Sequence, residues 1–183
     1  MIFPTPFHRI FLEIGYGTGE HLAELMRRHR DHGFIGAEPF INGTASFLKM
    51  IRNEPHDNIR IWMDDAIPLA ETLVDQCLEG IYILNPDPWP KKRHHKRRII
   101  NPENLDIFAR ILKPGGLLTM STDIDDLAEW MYERATSHPA FEQKPENAAD
   151  SCTPPPDWIP TKYEKQGLSA GRKQTYLVFT KQK

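Results

Sequence analysis

Ile10-Phe11-Leu12-Glu13-Ile14-Gly15-Tyr16-Gly17-Thr18-Gly19 runs a short apolar segment into three glycines at alternate positions. Residues 10–14 read as a strand. Residues 20–29, with Leu22, Leu25, Met26 and His29 at helical spacing, read as the helix after it. A glycine-rich turn between strand and helix lets the backbone come close to a ligand, at the carboxyl edge of an open parallel sheet. A dinucleotide fingerprint requires a further glycine at position 20, where Glu20 stands, so NAD is disfavoured.

Outward from this turn the same alternation continues. Strands are expected at 34–38, 59–63, 81–84 and 117–120, and helices at 45–52, 69–78 and 127–135. Leu105, Phe108, Ile111 and Leu112 stripe another helix, which Lys113-Pro114-Gly115-Gly116 ends. Residues 147–160, with three consecutive prolines at 154–156, read as a surface loop. A last strand at 174–181 is expected to run antiparallel, because no long crossover helix precedes it. The pattern is α/β with a mostly parallel sheet, and 183 residues suit one domain, 1–183.

Acids recur at the predicted strand ends. Glu38 closes the second strand, 19 residues beyond Gly19, and can accept both hydroxyls of a ribose. Asp65 follows the third strand, where a carboxylate suits an adenine amino group or a ribose, and Ala66 beside it offers backbone contact. With Glu13 and Asp87 these acids make a site hospitable to a cation and hostile to pyrophosphate. S-adenosylmethionine carries a sulfonium and an ammonium, and it is the expected cofactor. The plain alternative is that the acids cap helices and the glycines only permit close packing.

The formal charge of −2 hides an asymmetry. Lys91-Lys92-Arg93-His94-His95-Lys96-Arg97-Arg98 holds six of the 23 Lys and Arg residues and no acid, leaving 17 against 25 acids elsewhere. A local polyanion site is the expected use of such a run, and a solvated face the alternative. Cys77 and Cys152 are too few and too far apart for a disulfide framework or a cysteine zinc site, and His94 and His95 sit among cations, so no metal is expected. No apolar stretch reaches membrane-spanning length, and residues 1–11 lack the features of a secretory signal. The expectation is a cytoplasmic protein, either monomer or homodimer.

Asn85-Pro86-Asp87-Pro88-Trp89-Pro90 followed by the basic run closely resembles the signature of bacterial tRNA (guanine-N7-)-methyltransferases. The resemblance extends to the Glu13–Gly19 turn, Gly36-Ala37-Glu38, Asp64-Asp65-Ala66, Ser121-Thr122-Asp123 and Thr161-Lys162-Tyr163-Glu164, in the family's order. It implies a Rossmann-like class I methyltransferase fold: a seven-stranded sheet with helices on both faces, acting on a guanine in the tRNA variable loop. It also implies cofactor contacts at Glu13, Glu38, Asp65 and Asp87, and substrate contacts at Lys91, Asp123, Thr161, Lys162, Tyr163 and Glu164. Arg93, His94, His95, Lys96, Arg97 and Arg98 would meet the tRNA backbone. Only twelve residues precede Glu13, where the family usually carries a longer basic and aromatic arm, so the resemblance supplies no expectation for contacts that depend on such an arm.

Guanine N7 has a free lone pair, so its methylation needs alignment and charge stabilisation rather than a strong base. Asp87, held between Pro86 and Pro88, is the candidate catalytic carboxylate, beside Gly15, Gly17 and Gly19 of the cofactor turn. Trp89 could stack on the base or fill the core. Asp123 and Glu164 have the chemistry to accept from the guanine N1–H and N2–H groups, though Asp123 could equally cap a helix. Two other readings remain at this point. Asn85-Pro86-Asp87-Pro88-Trp89 loosely resembles an amino-methyltransferase motif that Asp87 interrupts, and the basic run alone would suit a non-catalytic RNA-binding module.

Overall fold

The computed structural model describes Phe3 and residues 7–183. Among them, seven strands form one sheet in the order β3-β2-β1-β4-β5-β7-β6. The strands are β1 (Ile10–Ile14), β2 (Gly33–Ala37), β3 (Ile59–Trp62), β4 (Leu78–Leu84), β5 (Leu112–Thr122), β6 (Phe141–Gln143) and β7 (Thr175–Lys181). β1 to β5 pair in parallel, and β7 runs antiparallel between β5 and β6.

Period-two alternation along the strands builds two cores. Leu12, Ile14, Ile35, Ala37, Ile81, Ile83, Leu118 and Met120 pack on one face against α3 (Ala66–Thr72), α4 (Pro102–Ile111) and α5 (Asp125–Ser137). Phe11, Phe34 and Tyr82 pack on the other against α1 (Glu20–Arg28) and α2 (Ile41–Ile51). Helices therefore cover both faces, as a parallel sheet requires. Phe108 and Phe47 are fully buried, each contributing roughly 1.5–3 kcal/mol of transfer free energy.

Two close approaches set the cleft-side turn. Gly19 caps α1 at φ 82°, and a Cβ there would lie 2.2 Å from the Phe47 ring. A Cβ on Gly43 of α2 would lie 2.4 Å from the Gly17 carbonyl oxygen. Glycine at both positions lets α2 press the turn against the sheet.

Several boundaries differ from the expectations. The helix expected at 69–78 is α3, Ala66–Thr72, and Leu78 already belongs to β4. Asp65 starts the helix early by accepting from the Ile67 N–H, and Arg110 ends it by donating to the carbonyls of Ala70, Glu71 and Leu73. The helix expected at 45–52 begins at Ile41. β5 starts immediately after α4 and carries Lys113–Gly116 as an irregularity in its pairing with β4. Asn147, expected in a loop, lies in the short helix α6 (Pro145–Ala149) and is buried, bonding the backbone of β7 through Tyr176 and Val178. The helix α7 (Lys162–Ser169) does precede β7, yet β7 still enters antiparallel. β6, α6, α7 and a 3₁₀ helix at Lys92–Arg97 were not anticipated.

Candidate active site

A cleft of about 990 Å³ opens beside β1, β2, β4 and β5 at their carboxyl ends. The sheet's order reverses there, since β1 lies between β2 and β4. The size suits a cofactor together with part of a substrate. Gly15, Gly17, Glu38, Asp65, Ala66, Asp87, Lys96, Arg97, Asp123 and Tyr163 all line it.

Glu38 is almost fully buried and held in place. The Gly17 N–H donates to its Oε2 at 2.8 Å and the Phe40 N–H to its Oε1 at 2.8 Å. The carboxylate thus shapes the glycine turn and still borders the cleft. Asp65 caps α3 and also lines the cleft, so capping and a cleft position hold together. Glu13 lies elsewhere. It is buried against His21, whose Nδ1 is 2.8 Å from its Oε2, and it borders a narrow crevice behind the turn rather than the main cleft. Burial, with Glu13 adding to it, pushes the nearby Tyr82 hydroxyl up to about 12. Gly19 likewise serves α1 and Phe47 and does not line the cleft.

After β4 the chain makes two left-handed residues, Asn85 at φ 49° and Trp89 at φ 42°. Asn85 is locked by three bonds: its N–H donates to the Ser121 carbonyl, its Nδ2 to Thr161 Oγ1, and its Oδ1 accepts from Gln174 Nε2. Asp87 is exposed to the cleft and makes no side-chain hydrogen bond or ion pair among the described residues. Trp89 is half-buried, with the Arg97 guanidinium 4.9 Å from its ring centroid and His94 edge-on at 6.0 Å.

The basic run splits into two sets. Lys91, Lys92, Arg93, Lys96 and Arg97 are exposed, and Lys96 and Arg97 reach the cleft. Arg98, expected to meet the tRNA backbone, is 1% exposed and turned inward. Its Nε donates to the Pro88 carbonyl at 2.9 Å, its Nη2 pairs with Asp126, and its guanidinium lies over Trp130. His95 also turns inward, edge-on to Trp130. Lys91 is exposed but does not line the cleft.

Asp123 lines the cleft without capping α5; Arg172 donates to its Oδ2 at 2.6 Å. Glu164, expected to contact substrate, does not line the cleft. Its carboxylate is 2% exposed and accepts from Trp158 Nε1, from the Tyr176 hydroxyl at 2.5 Å and from the Thr161 N–H. Burial and then Glu164 push the Tyr176 hydroxyl well above its usual range, which keeps it a donor. Thr161 completes a capping box with Glu164 and accepts from Asn85. Lys162 is exposed and flanks a shallow groove with Lys165, while Tyr163, 60% exposed, stands over Gly17 at the cleft. Sequence reasoning missed Asn85, Gln174 and Arg172. An Asn-Pro step next to a strand end hinted at Asn85, but no local pattern marked the other two.

A family model described as "Putative methyltransferase" matches residues 8–177. The chain is 46% identical over 182 residues to the tRNA (guanine-N(7)-)-methyltransferase of Bartonella quintana, covering 98% of this chain and 78% of the relative. It is 44% identical to the enzyme of that name from Rhizobium johnstonii, covering 98% and 77%. Among solved structures, the 16S rRNA methyltransferase KamB superposes with a TM-score of 0.67 at 14% identity, covering 97% of this chain and 89% of that one. A SAM-dependent O-methyltransferase from Thermotoga maritima gives 0.62 at 15% identity, covering 97% and 60%. At such identities these structures speak for the fold alone: a seven-stranded Rossmann-like sheet whose last long strand is antiparallel. With relatives this similar over nearly its whole length, the chain belongs to the tRNA (guanine-N(7)-)-methyltransferase family.

Proposed function

We propose that this chain transfers the methyl group of S-adenosylmethionine to N7 of a guanine in the variable loop of tRNA. The observation that carries the reading is one cleft lined by the acids Glu38, Asp65, Asp87 and Asp123 together with the exposed cations Lys96 and Arg97. Carboxylates repel a pyrophosphate and favour a sulfonium, while exposed cations favour a nucleic-acid backbone. The donor set therefore fits S-adenosylmethionine.

When bound, the cofactor supplies an electrophilic methyl group on a positively charged sulfur. Gly15 and Gly17 let the backbone approach it. Glu38, already fixed by two backbone donors, would offer its remaining lone pairs to ribose hydroxyls, and Asp65 and Ala66, which also line the cleft, would hold the adenine end. Asp87, which makes no side-chain polar contact among the described residues, would stabilise the positive charge that methyl transfer places on the guanine ring. N7 carries its own lone pair, so no residue has to remove a proton. Asp123 accepts from the guanine N1–H and N2–H groups, with Arg172 holding its carboxylate in place. Glu164 takes no part in this, because its oxygens are committed to Trp158, Tyr176 and Thr161. Tyr163 lines the cleft where the base would enter, Thr161 supports it from behind through Asn85, and the exposed cations Lys92, Arg93, Lys96 and Arg97 meet phosphates.

Incubating the protein with methyl-labelled S-adenosylmethionine and unmodified tRNA tests the proposal. Label is expected in the tRNA fraction. Label absent from tRNA at saturating cofactor would refute the reading, leaving the basic run to an RNA-binding role without chemistry.

A further inference from the structure

Arg98 ends the basic run, yet alone among its described residues it is buried, at 1% exposure. Its fork bridges two segments of the cleft. Nε donates to the carbonyl of Pro88, between Asp87 and Trp89, and Nη2 pairs with Asp126 in the first turn of α5, just after Asp123. Trp130 supports the guanidinium from the same helix, with the ring centroid 5.1 Å away, and donates its own Nε1–H to the Ile100 carbonyl at 2.6 Å.

We infer that Arg98 is a positioning residue, tying the Asp87 loop to the Asp123 end of α5 and so fixing the distance between the two carboxylates. The inference rests on the reading of the cleft given above. Three observations carry it. Among the described residues Asp87 has no side-chain partner of its own, and Trp89 holds a left-handed backbone that needs support from outside the loop. Arg98 Nη1 is buried without a partner among the described residues, and a buried charge with an orphaned donor is a poor way to gain stability. What the side chain does supply is geometry, because a planar fork reaches both Pro88 and Asp126, whereas the single nitrogen of a lysine cannot. The two carboxylates sit on loops after different strands, β4 and β5, and Arg98 spans that gap.

The test uses the full chain with Arg98→Lys, and with Asp126→Ala as a second variant, since the Asp126 side chain is 64% exposed and its truncation opens no cavity. Hydrogen exchange is followed over residues 85–98, where the amides of Asn85, His94 and Arg98 are bonded. In both variants, exchange should quicken in this segment while the rest of the sheet keeps its protection. Turnover at saturating cofactor and tRNA should fall by about tenfold or more, with KM for tRNA and its salt dependence unchanged. Wild-type exchange and turnover would overturn the inference. So would a flattened salt dependence, which would make Arg98 a phosphate contact, or faster exchange throughout the sheet, which would make it a general stabiliser. If Arg98→Lys does not fold, Asp126→Ala decides by the same readings. Exchange needs no substrate, so it judges the tether separately from a wild-type chain that transfers no methyl group, the result that would fail the functional reading instead.

Discussion

Asp87 and Glu164 show how surroundings divide the roles of one chemical group, the carboxylate. Asp87 stands at the cleft, unpaired among the described residues, and Glu164 is sealed behind Trp158 and Tyr176. Asp87→Asn keeps the size and removes the charge. It should lower turnover about a hundredfold, in the range found for groups that stabilise transition-state charge, with the fold unchanged. Near wild-type turnover at saturating substrates would end the electrostatic role. Glu38→Ala should act on binding instead, weakening cofactor affinity in calorimetry by roughly tenfold or more as charge-assisted hydrogen bonds disappear. Unchanged affinity would remove the ribose assignment. The cleft positions of Asp87 and Glu38 were legible in the sequence, because Glu38 directly follows a strand and Asp87 sits between prolines in the loop after one. The burial of Glu164 was not, because its partners Trp158 and Tyr176 flank it across a loop and a strand whose packing no local pattern encodes.

The basic run reads as one block in the sequence and behaves as two in the fold. Its 3₁₀ turn sends Lys92, Arg93 and Lys96 outward, while Arg98 and His95 turn to Trp130. Replacing Lys92, Arg93 and Lys96 with Ala should weaken tRNA binding. It should also flatten the dependence of log affinity on log salt by roughly 0.7 to 0.9 for each phosphate that is no longer neutralised. An unaltered slope would return the run to a solvated face. At this scale the parallel strands and the helices α1, α4 and α5 were legible, because each carries a sustained apolar period. The end of α3 and the helix α7 were not. Arg110, from α4, sets the first, and a polar segment capped by Thr161 and Glu164 forms the second.

Across the whole molecule, the order reversal at β1 puts the glycine turn, the β4 loop and the start of α5 around one opening. The cleft lies where the sheet's topology dictates, and the identity of its walls follows from which strand ends carry acids. The basic rim sits beside it because the run follows β4 directly. In the proposed reaction a base enters this acid-lined cleft, its backbone meets the neighbouring cations, and the methyl goes to a ring nitrogen that needs no deprotonation. The most direct measurement of that claim compares methyl transfer from labelled S-adenosylmethionine to two tRNA transcripts, one with guanine and one with 7-deazaguanine, which lacks N7 and keeps the exocyclic amine. The account predicts labelled 7-methylguanine in the first transcript and no label in the second; equal labelling of both would place the methyl elsewhere on the RNA and contradict it.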